Sequence, residues 1–230
     1  TFKAKGQISD HHPLGCGVLG RSGTPIASWF MNESDLVVAF GASFSNHTGI
    51  AAYKPIVQVD FDPMALGRFH AVEVPVLGDV GVTARLLAEA LPADPPCLDH
   101  RPEVAERWAI WREEKARRRL DDFGRGVSSP AVFDVMSQVV PENAVLCVDV
   151  GNNAYSFGRY FEVSGSQDVL MSGYLGSIGF ALPAAMGAWA AVGPGLRGLN
   201  AGAGLRGLNA EAGLRGLNAG AGLRGLNAGA

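Results

Sequence analysis

Two glycine-bearing stretches carry the residues best placed to do chemistry. Asp149-Val-Gly-Asn-Asn153 follows one apolar run. Ser172 to Phe180, with Gly173, Gly176 and Gly179, follows another. Glycine lets a backbone approach a ligand closely, and exposed N–H groups near a helix start suit phosphate oxygens. Two such turns in one βαβ unit suggest a diphosphate pocket. Residues 41–49 form a third polar loop, bounded by Gly41 and Gly49. The sequence has no Walker A lysine motif, no GxGxxG at its first βα turn and no HExxH. His11, His12, His47, His70 and His100 do not make a metal set, and His11 and His12 read as surface or loop residues.

The elements that must position these turns are legible in the pattern. Asp35 to Phe40 and Ile56 to Phe61 read as buried strands, the second stopped by Asp62-Pro63. Residues 23–32 read as a helix with Thr24 as N-cap and Pro25 at its first position. Val82 to Leu91 reads as another. Strands alternating with helices imply parallel βα units, whose ligands sit beyond the carboxyl ends of the strands, where the 41–49 loop falls.

Pro92, Pro95 and Pro96 break the chain, and a charged helix from Arg101 to Asp121 follows. Val104, Trp108 and Trp111 share one face of it. Glu113 with Arg117 and Glu114 with Arg118 are four apart and predict ion pairs. Arg117-Arg118-Arg119 therefore reads as a solvated face. Ser129-Pro130 opens a helix through Val139, Asn143 to Asp149 is a buried strand, and Asp168 to Met171 is a second short strand. The uncharged run Val169 to Val192 is long enough to suggest a membrane span, but its glycines and Pro183 favour a glycine loop and a buried helix of about twelve residues. The expected domains are residues 1–95, a linker at 96–127, a second α/β unit at 128–194 and a tail at 195–230.

The 230 residues carry 19 basic and 22 acidic side chains, for a net charge of -3. That balance gives no electrostatic ground for a nucleic-acid or anionic-membrane partner. Cys16, Cys97 and Cys147 have no metal spacing and read as reduced thiols in a cytoplasmic protein, with Cys147 a small core residue.

Several motifs resemble one family in the same order. Lys3-Ala-Lys-Gly6, Asp10-His-His-Pro-Leu14 and Gly20-Arg-Ser-Gly-Thr24 resemble the central domain of thiamine diphosphate-dependent enzymes, the family of acetolactate synthase, pyruvate oxidase and oxalyl-CoA decarboxylase. Leu36 to Phe40, Gly41-Ala-Ser-Phe44 and Val59-Asp-Phe-Asp-Pro63 continue the match. Asp149-Val-Gly151 and residues 176–185 resemble the start of the family's cofactor domain. The resemblance spans about 194 of the 230 residues. It implies an incomplete three-layer central domain with a parallel sheet, then the beginning of a second, thiamine diphosphate-binding α/β domain.

The resemblance also implies roles. Gly151, Asn152 and Asn153 fall where the family contacts the cofactor diphosphate. The Gly176 carbonyl, next to Ser177, falls where the aminopyrimidine amino group is held. Ile178 falls where an aliphatic side chain wedges between the cofactor rings, although its bare pattern reads as a core aliphatic before a helix. Gly41, Ala42, Ser43, Phe44, Asp60 and Asp62 fall where FAD or ADP lies in some members, and an acidic strand end can accept from ribose hydroxyls. Ser43 replaces an arginine usual in the synthase members.

The activating glutamate belongs to an N-terminal domain of the family that is absent here, and the Gly-Asp-Gly metal motif is absent too, so no catalytic or metal residue is assigned. The parent enzyme implied by the resemblance uses thiamine diphosphate and Mg²⁺, acts on a small-molecule 2-oxo acid, and is a homodimer or homotetramer in the cytoplasm, with no membrane partner. Rival readings are a non-catalytic nucleotide-binding α/β module and an interaction protein working through its tail.

That tail repeats Gly-Leu-Arg-Gly-Leu-Asn-Ala-Gly-Ala four times, with Glu211 as its one departure, and holds eleven of the 31 glycines. Glycine costs a helix about 1 kcal/mol relative to alanine, which argues against a stable isolated helix. A flexible tail, a short solenoid and translation through repetitive DNA all stay open. Mass spectrometry of the native protein separates the last from the others: the translation-artefact reading expects no repeat mass, and detecting one removes that reading.

Overall fold

The central strand of the first sheet is buried on both faces. The computed structural model describes residues 1–192 except 45–46, 93–97, 122–123 and 125, so the repeat tail and Cys97 lie outside the described residues. Strands β1 (Val37–Phe40), β2 (Ile56–Asp60) and β3 (Val74–Leu77) pair in parallel in the order β1-β2-β3. On β2, Ile56, Gln58 and Val59 are all buried, as a doubly covered parallel strand requires. The Gln58 amide is satisfied: its Nε2 donates to the Ala65 carbonyl at 3.1 Å and its Oε1 accepts from the Gly67 N–H at 2.9 Å.

Strand β3 has no counterpart in the sequence expectations. Pro75 interrupts its pattern, and proline is tolerated here because β3 lies at the sheet edge. Leu36 and Asp35 precede β1 rather than belonging to it. Helix α1 (Pro25–Glu33) is capped as expected, with Thr24 Oγ1 accepting from the Ala27 N–H at 3.2 Å. Helix α2 (Val80–Ala90) begins two residues earlier than the pattern suggests, because Asp79 caps it by accepting from the Val82 N–H at 2.8 Å.

Helix α3 (Arg101–Arg119) buries the expected stripe: Val104, Trp108 and Trp111 pack with Ile26 of α1. Trp108 Nε1 donates to the Gly15 carbonyl at 2.7 Å. Its three consecutive arginines are all engaged. Arg118 meets Glu114 at 2.6 Å and the Tyr160 hydroxyl at 3.2 Å, and Arg119 meets Asp134 at 2.7 Å. Arg117 pairs with Glu114 in place of Glu113.

The second sheet is the parallel pair β4 (Val145–Val148) and β5 (Asp168–Met171). Helix α4 (Ser129–Val139) precedes it, and Ser128 caps α4 by accepting from the Ala131 N–H at 3.4 Å. Between the strands lies α5 (Asn152–Tyr160), the helix of the βαβ unit, for which the sequence pattern gives no bounds, and after β5 comes α6 (Ala181–Ala191). Parallel sheets flanked by helices make the chain α/β. Among the described residues no helix is long and apolar enough to cross a membrane. Cys147 on β4 is half-buried rather than enclosed, and burial raises its thiol pKa; Cys16 is raised to about 11 for the same reason.

The first residues of the chain pack on this second unit. Phe2 joins the core of Val148, Phe157, Phe161, Val163 and Met171. Lys5 and Asp10, 5% and 4% exposed, form an ion pair at 3.0 Å, and Asp10 Oδ2 also accepts from the Val163 N–H at 2.8 Å. Burial lowers the Lys5 pKa and Asp10 opposes that shift. Removing one member of such a pair typically costs about 3–5 kcal/mol, because the other charge is left buried alone.

The two buried tryptophans of α3 give a matched test. Trp108→Phe leaves the Gly15 carbonyl without its donor and is expected to cost about 1–2 kcal/mol. Trp111 stacks on Tyr160, but its indole N–H has no partner among the described residues. Trp111→Phe is therefore expected to cost less than Trp108→Phe in chemical denaturation, and the reverse order would contradict this account of α3.

Candidate functional site

Strands β4 and β5 are parallel neighbours with Val148 opposite Met171. The two glycine turns therefore leave the same end of the sheet, beyond the carboxyl ends of the strands. After β4, Gly151 takes φ 125 and ψ -162, a conformation open to glycine, and stands as the N-cap of α5. No side chain caps that helix. Gly151, Asn152 and Asn153 are exposed, so the first N–H groups of α5 face solvent rather than a protein acceptor. After β5, Gly176 (φ 61) and Gly179 (φ 88) shape the second turn. Ser172 Oγ accepts from the Ser177 N–H at 2.9 Å, closing the loop on itself.

One carboxylate holds the two turns together. Asp149 Oδ1 accepts from the Val150 N–H at 2.7 Å and from the Gly179 N–H, thirty residues on, at 2.8 Å. The backbone N–H groups of Phe180 and Ala181 act on it too. The Val150 bond first, and then the Gly179 bond, hold the Asp149 carboxyl below its ordinary pKa. A β carbon placed on Gly176 would lie 3.7 Å from Val150 Cγ1, so the turns are also in van der Waals reach. Sequence reasoning quoted Asp149 only as part of a motif and gave it no role. Its signal is faint: an acid directly after a buried strand, and a later helix, α6, that has no side-chain cap of its own.

Ile178 is 87% exposed, with Tyr174, Leu175 and Leu182 exposed around it in sequence. A core aliphatic would be covered, so the bare core reading of Ile178 does not describe this side chain. Gly151, Asn152, Asn153, Gly176, Ser177 and Ile178 thus all lie on the two turns that Asp149 joins.

The strand ends of the first sheet are arranged differently. Gly41 (φ 58) follows β1 and donates its N–H to the Val59 carbonyl at 2.8 Å. Ala42 and Phe44 are buried in the core with Val37, Ala39 and Ile56, and only Gly41 and Ser43 of that segment are exposed. Phe44 meets His70 edge-on at 5.6 Å. Asp60 is buried, and its Oδ1 accepts from the Asp62 N–H at 3.0 Å; Asp62 Oδ1 accepts from the Met64 N–H at 2.9 Å. Each acid already stabilises a local turn. His11 and His12 are exposed, and His11 lies beside Glu162, which Arg112 and Lys115 also engage. Among the described residues no group of three or more His, Cys, Asp or Glu is placed to hold a metal ion.

Comparison with known proteins places this geometry. Residues 1–87 match the family model of the thiamine pyrophosphate enzyme central domain, and residues 149–198 match that of the C-terminal TPP binding domain. A probable acetolactate synthase large subunit of Methanocaldococcus jannaschii is 30% identical over 203 residues, 83% of this chain and 34% of that protein. The acetolactate synthase large subunit of Corynebacterium glutamicum is 30% identical over 198 residues, 83% of this chain and 31% of that protein. A putative thiamine pyrophosphate-containing protein of Bacillus subtilis is 30% identical over 190 residues, 82% of this chain and 32% of that protein. The chain thus spans about a third of the length of these relatives. With both joined turns, 149–153 and 172–181, inside the second matched stretch, the chain belongs to the thiamine pyrophosphate enzyme family.

Proposed function

We propose that this chain supplies one wall of the cofactor site in a thiamine diphosphate-dependent enzyme that acts on 2-oxo acids, in the manner of an acetolactate synthase. The observation that carries the reading is the Asp149 carboxylate bridging Val150 and Gly179. It seats an uncapped helix start and a glycine turn side by side, the arrangement a diphosphate and an adjoining ring system need. The residues present fit that group. The N–H groups at the start of α5, with Asn152 and Asn153, would take the diphosphate oxygens, where the helix dipole also favours negative charge. The Gly176 carbonyl would accept from the amino group of the pyrimidine. Ile178, free of protein cover, would support the rings from one side and fix their mutual angle. Bound there, the cofactor supplies the electron sink that decarboxylation of a 2-oxo acid requires. Mg²⁺ belongs to the same reading, through residues other than the described ones.

The proposed division is a central unit at residues 1–95, a linking helix at 96–127 and the start of the cofactor unit at 128–194. FAD or ADP at Gly41 to Phe44, Asp60 and Asp62 has less support, because Ala42 and Phe44 are buried in the core and only Gly41 and Ser43 of residues 41–44 are exposed.

Three outcomes test the reading. The 230-residue polypeptide alone is expected to release no CO₂ from pyruvate with thiamine diphosphate and Mg²⁺, since the reading assigns it neither the activating acid nor the metal ligands; robust cofactor-dependent release would overturn it. In the intact enzyme, Ile178→Ala is expected to lower kcat by roughly 10²-fold, the scale of a small misplacement of reacting groups, with less effect on KM; an unchanged kcat would remove Ile178 from the site. The Asp149 bridge has a sign that can be checked. A carboxyl whose folded pKa is depressed contributes its stability above the ordinary aspartate pKa and loses it as pH falls through the lower folded value. The Val150 and Gly179 amide resonances are therefore expected to stay fixed through neutral pH and to move together only below the usual carboxylate range. In Asp149→Asn they should not titrate, and movement there would assign the bridge to another group.

A further inference from the structure

The 172–179 turn contains three glycines, and its two internal anchors, Ser172 and Asp149, both act from its own unit. A further contact reaches it from the other end of the chain. The 3-10 turn Phe2–Ala4 packs on β5. The Lys3 stem lies over Gly173: a β carbon built on Gly173 would stand 2.6 Å from Lys3 Cε and 2.8 Å from Lys3 Cγ. The Lys3 ammonium sits 6.0 Å from the centroid of the Tyr174 ring. Gly173 is not among the glycines with positive φ, so a methyl there meets the Lys3 stem and no backbone limit, and the stem must shift to admit it.

The segment that carries Lys3 is itself fastened. Gly6 (φ 96) approaches β5 so closely that a β carbon would stand 2.7 Å from the Gln167 carbonyl oxygen and 3.3 Å from Val169 Cγ2. The buried Lys5–Asp10 pair follows, with Asp10 Oδ2 accepting from the Val163 N–H at 2.8 Å and the Asp10 N–H donating to the Val163 carbonyl at 3.0 Å. Val163 is fully buried. Two hydrogen bonds to Val163 thus pin residues 5–10 to the chain entering β5, the Lys5–Asp10 ion pair braces that segment internally, and Lys3 is carried on the same piece toward the chain leaving it.

We infer that residues 3–10 act as a splint for the 172–179 turn, with Lys3 as a positioning residue that presses on Gly173 and with Lys5–Asp10–Val163 as its fastening. This inference rests on the proposal that the turn seats the cofactor. It deepens that proposal by assigning the turn's preorganisation to a segment remote in sequence. A glycine turn held in one geometry before binding gives up less conformational freedom when a ligand arrives.

The test is a double-substitution cycle read without cofactor. Amide exchange is followed by NMR at Ser177 and Gly179, whose N–H groups are bonded to Ser172 and Asp149, and at Gly41 as a control on the first sheet. Lys3→Ala is expected to speed exchange at Ser177 and Gly179 by about two- to tenfold, the lower part of the range of coupling between contacting residues, and to leave Gly41 unchanged. Lys3→Met, which keeps the stem, is expected to restore most of the protection. Gly173→Ala is expected to disturb the turn in the parent chain but to add little in the Lys3→Ala background, where the methyl enters vacated space. Asp10→Asn is expected to loosen the same two amides; where that chain does not fold, the Lys3 and Gly173 set decides alone. Unchanged exchange in Lys3→Ala, Lys3→Met as unprotected as Lys3→Ala, or equal effects of Gly173→Ala in both backgrounds would overturn the splint. Because no cofactor is present, these results stand apart from thiamine diphosphate titrations. Absence of binding would sink the cofactor reading and leave the splint intact, and additive effects in the cycle would do the opposite.

Discussion

The candidate site depends on one carboxylate that accepts from both sides of a gap. Parallel strands deliver their C-terminal turns to the same end of a sheet, but they do not join them. In this chain Asp149 makes the joint, with one oxygen shared between its own neighbour Val150 and the distant Gly179. An ionised acceptor bonds N–H groups more strongly than a neutral one. The same carboxylate sits where α6 begins, so the positive end of that helix favours its charge. Geometry and electrostatics therefore act in one direction, and the depressed pKa of Asp149 is their shared consequence.

A second constraint is close approach. Gly6 against Gln167 and Gly158 against Ser22 bring the first two dozen residues into backbone contact distances that a side chain would forbid, and Gly173 lies close under the Lys3 stem. Arg159 adds bonds to the carbonyls of Arg21 and Gly23, at 2.8 and 3.3 Å. Parts of residues 1–24 consequently pack on the β4–β5 unit, with Phe2 in its core, while Cys16 and α1, the first helix after them, pack on α3. The unit holding the glycine turns is completed by chain that precedes it by more than a hundred residues.

Much of this was legible where the cause is local. Runs rich in β-branched residues marked β1, β2, β4 and β5 to within a few residues. Thr24 and the Ser129-Pro130 pair marked the starts of α1 and α4, because a cap bonds two or three residues away and its signal lies in the sequence beside it. Strand β3 was hidden by Pro75, since edge position, which excuses the proline, is a property of the sheet. Helix α5 was hidden because Gly151 and the paired asparagines look like an open turn. Asp149 and Asp10 were the hardest cases: each is quoted in a motif, yet the atoms that give it meaning, at Gly179 and Val163, are thirty and about one hundred and fifty residues away. The six turn residues are proposed through family resemblance and not through any pattern that physics alone makes unambiguous.

The two ends of the candidate site are unequally built. At the end proposed for the diphosphate the chain offers a helix start, a glycine cap and two asparagines on a turn fixed by a charged bridge. At the end proposed for the rings it offers a carbonyl and an isoleucine that is 87% exposed. Leu182, Met186 and Trp189 continue from it at spacings of four and three along α6, so one helical face is apolar and largely exposed. A side chain can hold two rings at a chosen angle only if the rings are confined from the opposite side as well. Water reaching that position would also weaken the electrostatic interactions on which such chemistry relies. On the proposed reading the described residues would therefore supply anchoring and one supporting surface, and confinement of the rings would require further protein against the α6 face.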